Sequence, residues 1–164
     1  MSIVPLCEKK DFQVKKEKII IYCDGGCSGN QYDHNKGGWG AVLKYKDRVK
    51  EIYGGEKNTT NQKMELTAAI RALEEIKSNG IEIEVHSDSA YLVNCMTQRW
   101  HAKWQRNGWI NSKKEPVANK ELWMRLLELT KKYKVHFHKV AGHSGVDLNE
   151  LADQLANKGI EELR

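Results

Sequence analysis

Residues 19–30, IIIYCDGGCSGN, run four apolar or aromatic residues and a cysteine into an acid, two glycines, a second cysteine, a serine, a third glycine and an asparagine. Residues 19–22 read as a buried β-strand, which places Asp24 where that strand is about to leave its sheet. Two readings of the acid are open. Asp and Gly supply the φ > 0 positions and side-chain hydrogen bonds of a turn. Alternatively, the carboxylate holds a cation and the glycines let something large approach the backbone. Twelve residues do not choose between these.

The chain has 164 residues, 40% hydrophobic and 30% charged, with two prolines, which suits one domain with an ordinary core. No apolar run is long enough for a membrane span, and the N-terminus has no signal-peptide pattern. The four cysteines, Cys7, Cys23, Cys27 and Cys95, have neither CxxC spacing nor the density of a disulfide scaffold. They read as thiols in a reducing cytoplasm. The net charge is +5, and its distribution says more than its size. From Arg99 to Lys120 six basic residues face one acid, Glu115, with Trp100, Trp104 and Trp109 interleaved. Cations with interleaved rings suit a nucleic acid; an amphipathic helix packing its tryptophans on the core fits equally well.

Outward from the first strand, residues 37–47 and 48–56 read as a hairpin. Residues 58–80 hold the clearest helix, preceded by Thr and Asn and closed by Gly80. Residues 81–88 alternate strictly as a strand ending in Asp88. Residues 89–100 look helical, as do 119–133; residues 134–142 form a last strand and 147–163 a closing helix. The order β-β-β-α-β-α-α-α-β-α predicts a mixed sheet with helices on both faces. Residues 1–17 are polar and lysine-rich, without clear period, and read as an extension ahead of a domain spanning 18–164.

Four acids interrupt apolar patterns: Asp24, Glu65, Asp88 and Asp153. Glu65, placed in the first turn of its helix, suits the helix dipole, and Asp88 suits an N-cap or its neighbour. Asp153 suits neither, lying a turn or more into its helix among apolar residues. Parallel neighbouring strands would bring Asp24 and Asp88 to one sheet edge, where the two helices could present Glu65 and Asp153. Four converging carboxylates repel unless cations intervene. Oxygen donors select Mg²⁺ or Mn²⁺, and two such ions are a standard means of polarising a phosphoryl displacement.

The blocks DGGCSGN, TTNQKMELTAAIRAL, VHSDSAYLVN and VAGHSGVDLNELADQLA resemble, in order and spacing, the four signature blocks of type 1 ribonuclease H. The similarity runs from about Lys18 to the C-terminus. RWHAKWQRNGW…KKEPVANKELW resembles the basic protrusion of the bacterial form. The resemblance implies a five-stranded mixed sheet of order 3-2-1-4-5 and hydrolysis of the RNA strand of an RNA–DNA hybrid, leaving 5′-phosphate and 3′-hydroxyl ends. It implies two Mg²⁺ ions, with Mn²⁺ as the alternative, held by Asp24, Glu65, Asp88 and Asp153. Asp24 would bridge the ions, Asp153 would help hold the one on the water side, and Glu65 and Asp88 the one at the leaving oxygen. His143, in AGHSG, would assist proton transfer or product departure. The partner would be the hybrid duplex, the chain a cytoplasmic monomer.

Within that resemblance, Gly25 and Gly26 would admit a phosphate backbone beside Asp24. Asn30, Asn61 and Gln62 carry amides able to read minor-groove edges and 2′-hydroxyls. Thr60 could cap its helix and also donate to a phosphate. Trp100, Lys103, Trp104, Arg106, Lys113 and Lys114 are expected at the substrate, while Trp100, Trp104 and Trp123 equally suit a small core of the segment's own. The loop GNQYDHNKGGWG is longer than the family's common proline-glycine version, and Ala90 stands where several relatives carry a polar residue. A transposase or integrase core would share the acids but typically lacks the basic segment and AGHSG. A non-catalytic hybrid binder would be expected to have lost an acid.

Overall fold

A computed structural model of the chain describes residues 17–29, 35–141 and 147–163. The expected element order is the observed one. Strands β1 (Lys18–Ser28), β2 (Lys36–Tyr45) and β3 (Arg48–Lys57) are followed by α1 (Asn61–Glu74), β4 (Glu82–Ser87), α2 (Ala90–Thr97), α3 (Trp100–Asn107), α4 (Lys120–Lys132), β5 (Lys134–Lys139) and α5 (Asp147–Glu161). The sheet has the order β3-β2-β1-β4-β5. β1–β2 and β2–β3 are antiparallel, and β1–β4 and β4–β5 parallel.

Strand alternation divides the sheet into two faces. Ile19, Ile21 and Cys23 of β1 and Ile83 and Val85 of β4 point into the larger core, with Leu66 and Leu73 of α1 and Trp123 and Leu126 of α4 among its fully buried side chains. Val42 points the other way, against Ala152 and Leu155 of α5. Gly40 makes that second contact close: a Cβ there would sit 2.7 Å from the Ala152 carbonyl oxygen. Helices therefore lie on both faces, as the strand order predicts. Among the described residues no helix is long and apolar enough to cross a membrane.

Three boundaries differ from the sequence reading. α1 ends at Glu74, with Glu75 capping in the right-handed region; Gly80, φ 84°, turns the connection to β4 and does not close the helix. The helix expected over 89–100 ends at Thr97, and Trp100 already opens α3, with Arg99 in the left-handed region (φ 59°, ψ 40°) between the two. And β1 does not leave the sheet at Asp24: it stays paired with β2 as far as Ser28 opposite Lys36. Its pairing with β4 stops at Tyr22 opposite His86. The Asp-Gly-Gly step is strand and not turn, and of these three glycines only Gly29 has positive φ.

Candidate active site

The parallel β1–β4 register sets the site. Tyr22 and His86 are partners, so two residues on, Asp24 and Asp88 come to the same end of the sheet just as the two strands part. Asp24 remains held by its pairing with Gly40 of β2. Asp88 follows the last residue of β4, and Val140 N–H donates to the Ser87 carbonyl at 2.9 Å, tying that end to the chain after β5. α5 brings Asp153 across the other face, and α1 brings Glu65.

The electrostatics show that these acids face one another. Burial pushes the Asp24 carboxyl up to about 8; the charge of Asp88 and a hydrogen bond and charge from Asp153 add to it, and the Gly25 N–H works against them. Glu65 is also raised, chiefly by burial and further by Asp88, while a hydrogen bond from the Ser89 hydroxyl opposes the rise. The buried Cys23 thiol is pushed far up by burial and then by Asp24, Asp88 and Glu65. A side chain that feels three of the acids at once marks where their field converges.

Glu65 is the fifth residue of α1 and so lies beyond its first turn, which contains no acid. The helix-dipole reading of Glu65 therefore fails. What positions it is Gly25. A Cβ on Gly25 would fall 2.6 Å from the Glu65 nitrogen and from the Met64 carbonyl oxygen. The space beside Gly25 is filled by α1 and is not an opening for a phosphate; the missing side chain lets the helix approach β1 and carry Glu65 toward Asp24. Gly26 is roomier, its nearest neighbour being Asn61 Oδ1 at 3.8 Å. Asn61 Oδ1 accepts the Cys27 N–H at 2.7 Å, leaving its amino group for other partners. Thr60 is the N-cap of α1, its hydroxyl accepting the Lys63 N–H at 3.1 Å. Thr60, Asn61 and Gln62 are all exposed. Asn30 and His143 lie outside the described residues.

The segment 99–120 combines an aromatic interior with a cationic exterior. The Trp104 ring stands 5.9 Å from Trp109 and 5.8 Å from Trp123, and Trp123 Nε1–H donates to Tyr91 Oη at 2.9 Å. Trp104 and Trp123 are structural. Trp100 is exposed, its indole N–H on Gln98, and Lys103, Arg106, Lys113 and Lys114 are exposed. The turn bearing the two lysines is fixed by Asn111, whose Oδ1 accepts the Lys113 and Glu115 N–H groups at 2.9 and 3.0 Å.

Sequence reasoning passed over Ser89 and Asn35. Ser89 caps α2, accepting the Leu92 N–H at 3.0 Å, and so orients the chain that follows Asp88; a Ser one residue before a helical run is a readable N-cap signal. Asn35, buried before β2, bonds to Thr59 through its side chain, and no local pattern marks it. Among the described residues no three His, Cys, Asp or Glu side chains close into a ready-made metal cage. The acids still fit hard divalent cations. They are oxygen donors in a half-buried site where burial and then mutual repulsion raise Asp24, and Mg²⁺ characteristically takes one or two carboxylates and completes its shell with water and substrate phosphate.

The family model described as RNase H matches residues 16–161. The chain is 55% identical over 147 residues to a protein named Ribonuclease H from Syntrophomonas wolfei, covering 90% of this chain and 99% of that one. Among solved structures it resembles LC9-RNase H1, a type 1 RNase H with the type 2 active-site motif (TM-score 0.79, 28% identity, 89% of this chain and 73% of that one). It also resembles LC11-RNase H1 in complex with an RNA/DNA hybrid (TM-score 0.67, 27% identity, 88% of this chain and 98% of that one).

Proposed function

The chain belongs to the ribonuclease H family, and from that premise we propose that it hydrolyses the RNA strand of RNA–DNA hybrids with two divalent metal ions. The observation that carries this reading is the carboxylate pair at the parting of β1 and β4, joined by Asp153 and with Asp24 held up at about 8. Bound Mg²⁺, or Mn²⁺ in its place, would supply positive charge that polarises the scissile phosphate and lowers the pKa of the attacking water. Asp24 would touch both ions, Asp153 the one on the water side, and Glu65 and Asp88 the one at the leaving 3′ oxygen. The products would be 5′-phosphate and 3′-hydroxyl ends.

Around those acids the chain's own groups orient the duplex. Thr60, Asn61 and Gln62 at the start of α1 would meet the backbone and the minor groove, and the cations of 99–120, with Trp100, would take phosphates in the manner of a basic protrusion. Gly26 keeps the approach beside them open. His143 would move a proton or help a product phosphate depart. The catalytic unit is assigned to residues 18–164, working as a monomer in the cytoplasm.

The test is cleavage of end-labelled RNA–DNA hybrid with and without chelator. Wild-type protein should cut the RNA strand in Mg²⁺ and stop in chelator. Asp24→Asn should fold and bind hybrid yet show no turnover. Near wild-type cutting by Asp24→Asn in Mg²⁺ would sink the mechanism.

A further inference from the structure

Two side-chain amides fasten the start of α1 to the strands beneath it. On the β1 side, the Cys27 N–H donates to Asn61 Oδ1 at 2.7 Å. On the β2 side, Asn35 spends its whole carboxamide on one residue. Its Nδ2 donates to the Thr59 carbonyl at 2.9 Å, and its Oδ1 accepts the Thr59 N–H at 3.0 Å. The Asn35 carbonyl also accepts the Asn58 N–H at 3.0 Å. Asn35 and Thr59 are 8% and 7% exposed, so the Thr59 backbone groups have little water to turn to if the carboxamide is removed. The contact is close: a Cβ on Gly37, two residues after Asn35, would run into the Thr59 methyl.

We propose that Asn35 is a positioning residue for the substrate. By pairing both backbone groups of Thr59 it sets the path of the chain into the Thr60 cap and holds Thr60, Asn61 and Gln62 in the orientation that receives the hybrid. The proposal rests on the reading above, that the start of α1 meets the duplex. Asn35 is not itself a substrate contact, since both ends of its amide are committed and buried. Its effect is confined to the helix start: Glu65, a turn further on, is held separately by the close approach at Gly25. Loss of Asn35 should therefore weaken binding and spare chemistry.

Asn35→Ala and Asn35→Asp test this at 25 °C. Each would be measured for hybrid KM and kcat in Mg²⁺, for hybrid Kd in Ca²⁺, and for amide exchange along α1. Asn35→Ala should raise KM and Kd by about tenfold, the scale of a binding group misplaced by a fraction of an ångström, with kcat within about threefold. The amides of Thr59 and Lys63 should exchange faster while those of Leu66 to Leu73 keep their protection. Asn35→Asp retains the acceptor for the Thr59 N–H but sets a buried carboxylate against the Thr59 carbonyl; its KM should rise at least as much with kcat again spared, and either variant carries the comparison if the other fails to fold. Faster Thr59 exchange with KM and Kd within about twofold of wild type would make Asn35 merely structural and overturn the proposal. Wild-type protein that neither binds nor cuts hybrid would instead overturn the functional reading, while the exchange data still report whether the clamp holds the helix start.

Discussion

At Gly25 a single hydrogen decides how near one helix comes to one strand. Alanine there would place a Cβ 2.6 Å from the Glu65 nitrogen and the Met64 carbonyl oxygen, and those atoms belong to a helix backbone that cannot rotate away. Gly25→Ala should cost about 1–3 kcal/mol, the usual range for overpacking, seen as a lower Tm. Because the shift moves Glu65 away from Asp24, it should also raise the Mg²⁺ concentration for half-maximal cutting; a lower Tm with unchanged Mg²⁺ dependence would separate packing from metal positioning. His143 calls for a graded outcome. A water activated by metal does not depend on one general base, so His143→Ala should still cut, slower by about 10²-fold, the lower end of general acid–base effects. Single-turnover rates would separate proton transfer from product release, and loss of hybrid binding would count against both roles. The four acids were legible because carboxylates in apolar runs are costly. The purpose of Gly25 was not, because a sequence does not say what lies across a strand, and a glycine admitting a helix reads like one admitting a ligand.

Among the elements, α3 and the turn after it differ most from the rest. α3 contributes no buried side chain of its own, and its neighbourhood is held by the Trp104–Trp109–Trp123 cluster and the Asn111 turn. Such a segment can lose surface charge without loss of fold. Replacing Lys103, Arg106, Lys113 and Lys114 by alanine should leave Tm and kcat nearly unchanged and raise KM. Each lost phosphate contact should also flatten the dependence of log affinity on log salt by about 0.9. An unchanged salt slope would return these residues to plain solvation. Element order was legible because strand alternation and helix periodicity differ so plainly, from Ile83 and Val85 to Leu66, Ala69 and Leu73. The place of the break, at Arg99 and not after Trp100, was not, since no Gly or Pro announces a left-handed residue there. Gly80 misled in the opposite sense, turning a connection that α1 had already left.

For the whole molecule, the parallel β1–β4 pair gathers acids from two strands and two helices at one point, so stability and metal binding must be linked. In metal-free protein the folded state holds a proton on Asp24 up to about 8, whereas an unfolded aspartate releases it near about 3.9. The folded form therefore binds more protons between those values. The stability this contributes is complete below the lower value and is lost as pH rises through the upper one; Glu65, raised in the same direction, steepens the loss. Thermal unfolding in chelator should show Tm falling from about pH 5 to pH 8, and Asp24→Asn should flatten that fall and melt higher than wild type at pH 8. A relief of about 1.4 kcal/mol, equivalent to one pH unit of displacement, corresponds to about 3–6 °C in a domain of this size, at about 2–4 °C per kcal/mol. Mg²⁺ binds the folded form through the same deprotonated carboxylates, so it should raise wild-type Tm most at pH 8 and least at pH 5. Asp24→Asn should lose most of that increment. A wild-type Tm indifferent to Mg²⁺ across this range would mean that the acids do not gather a metal, whatever else they do.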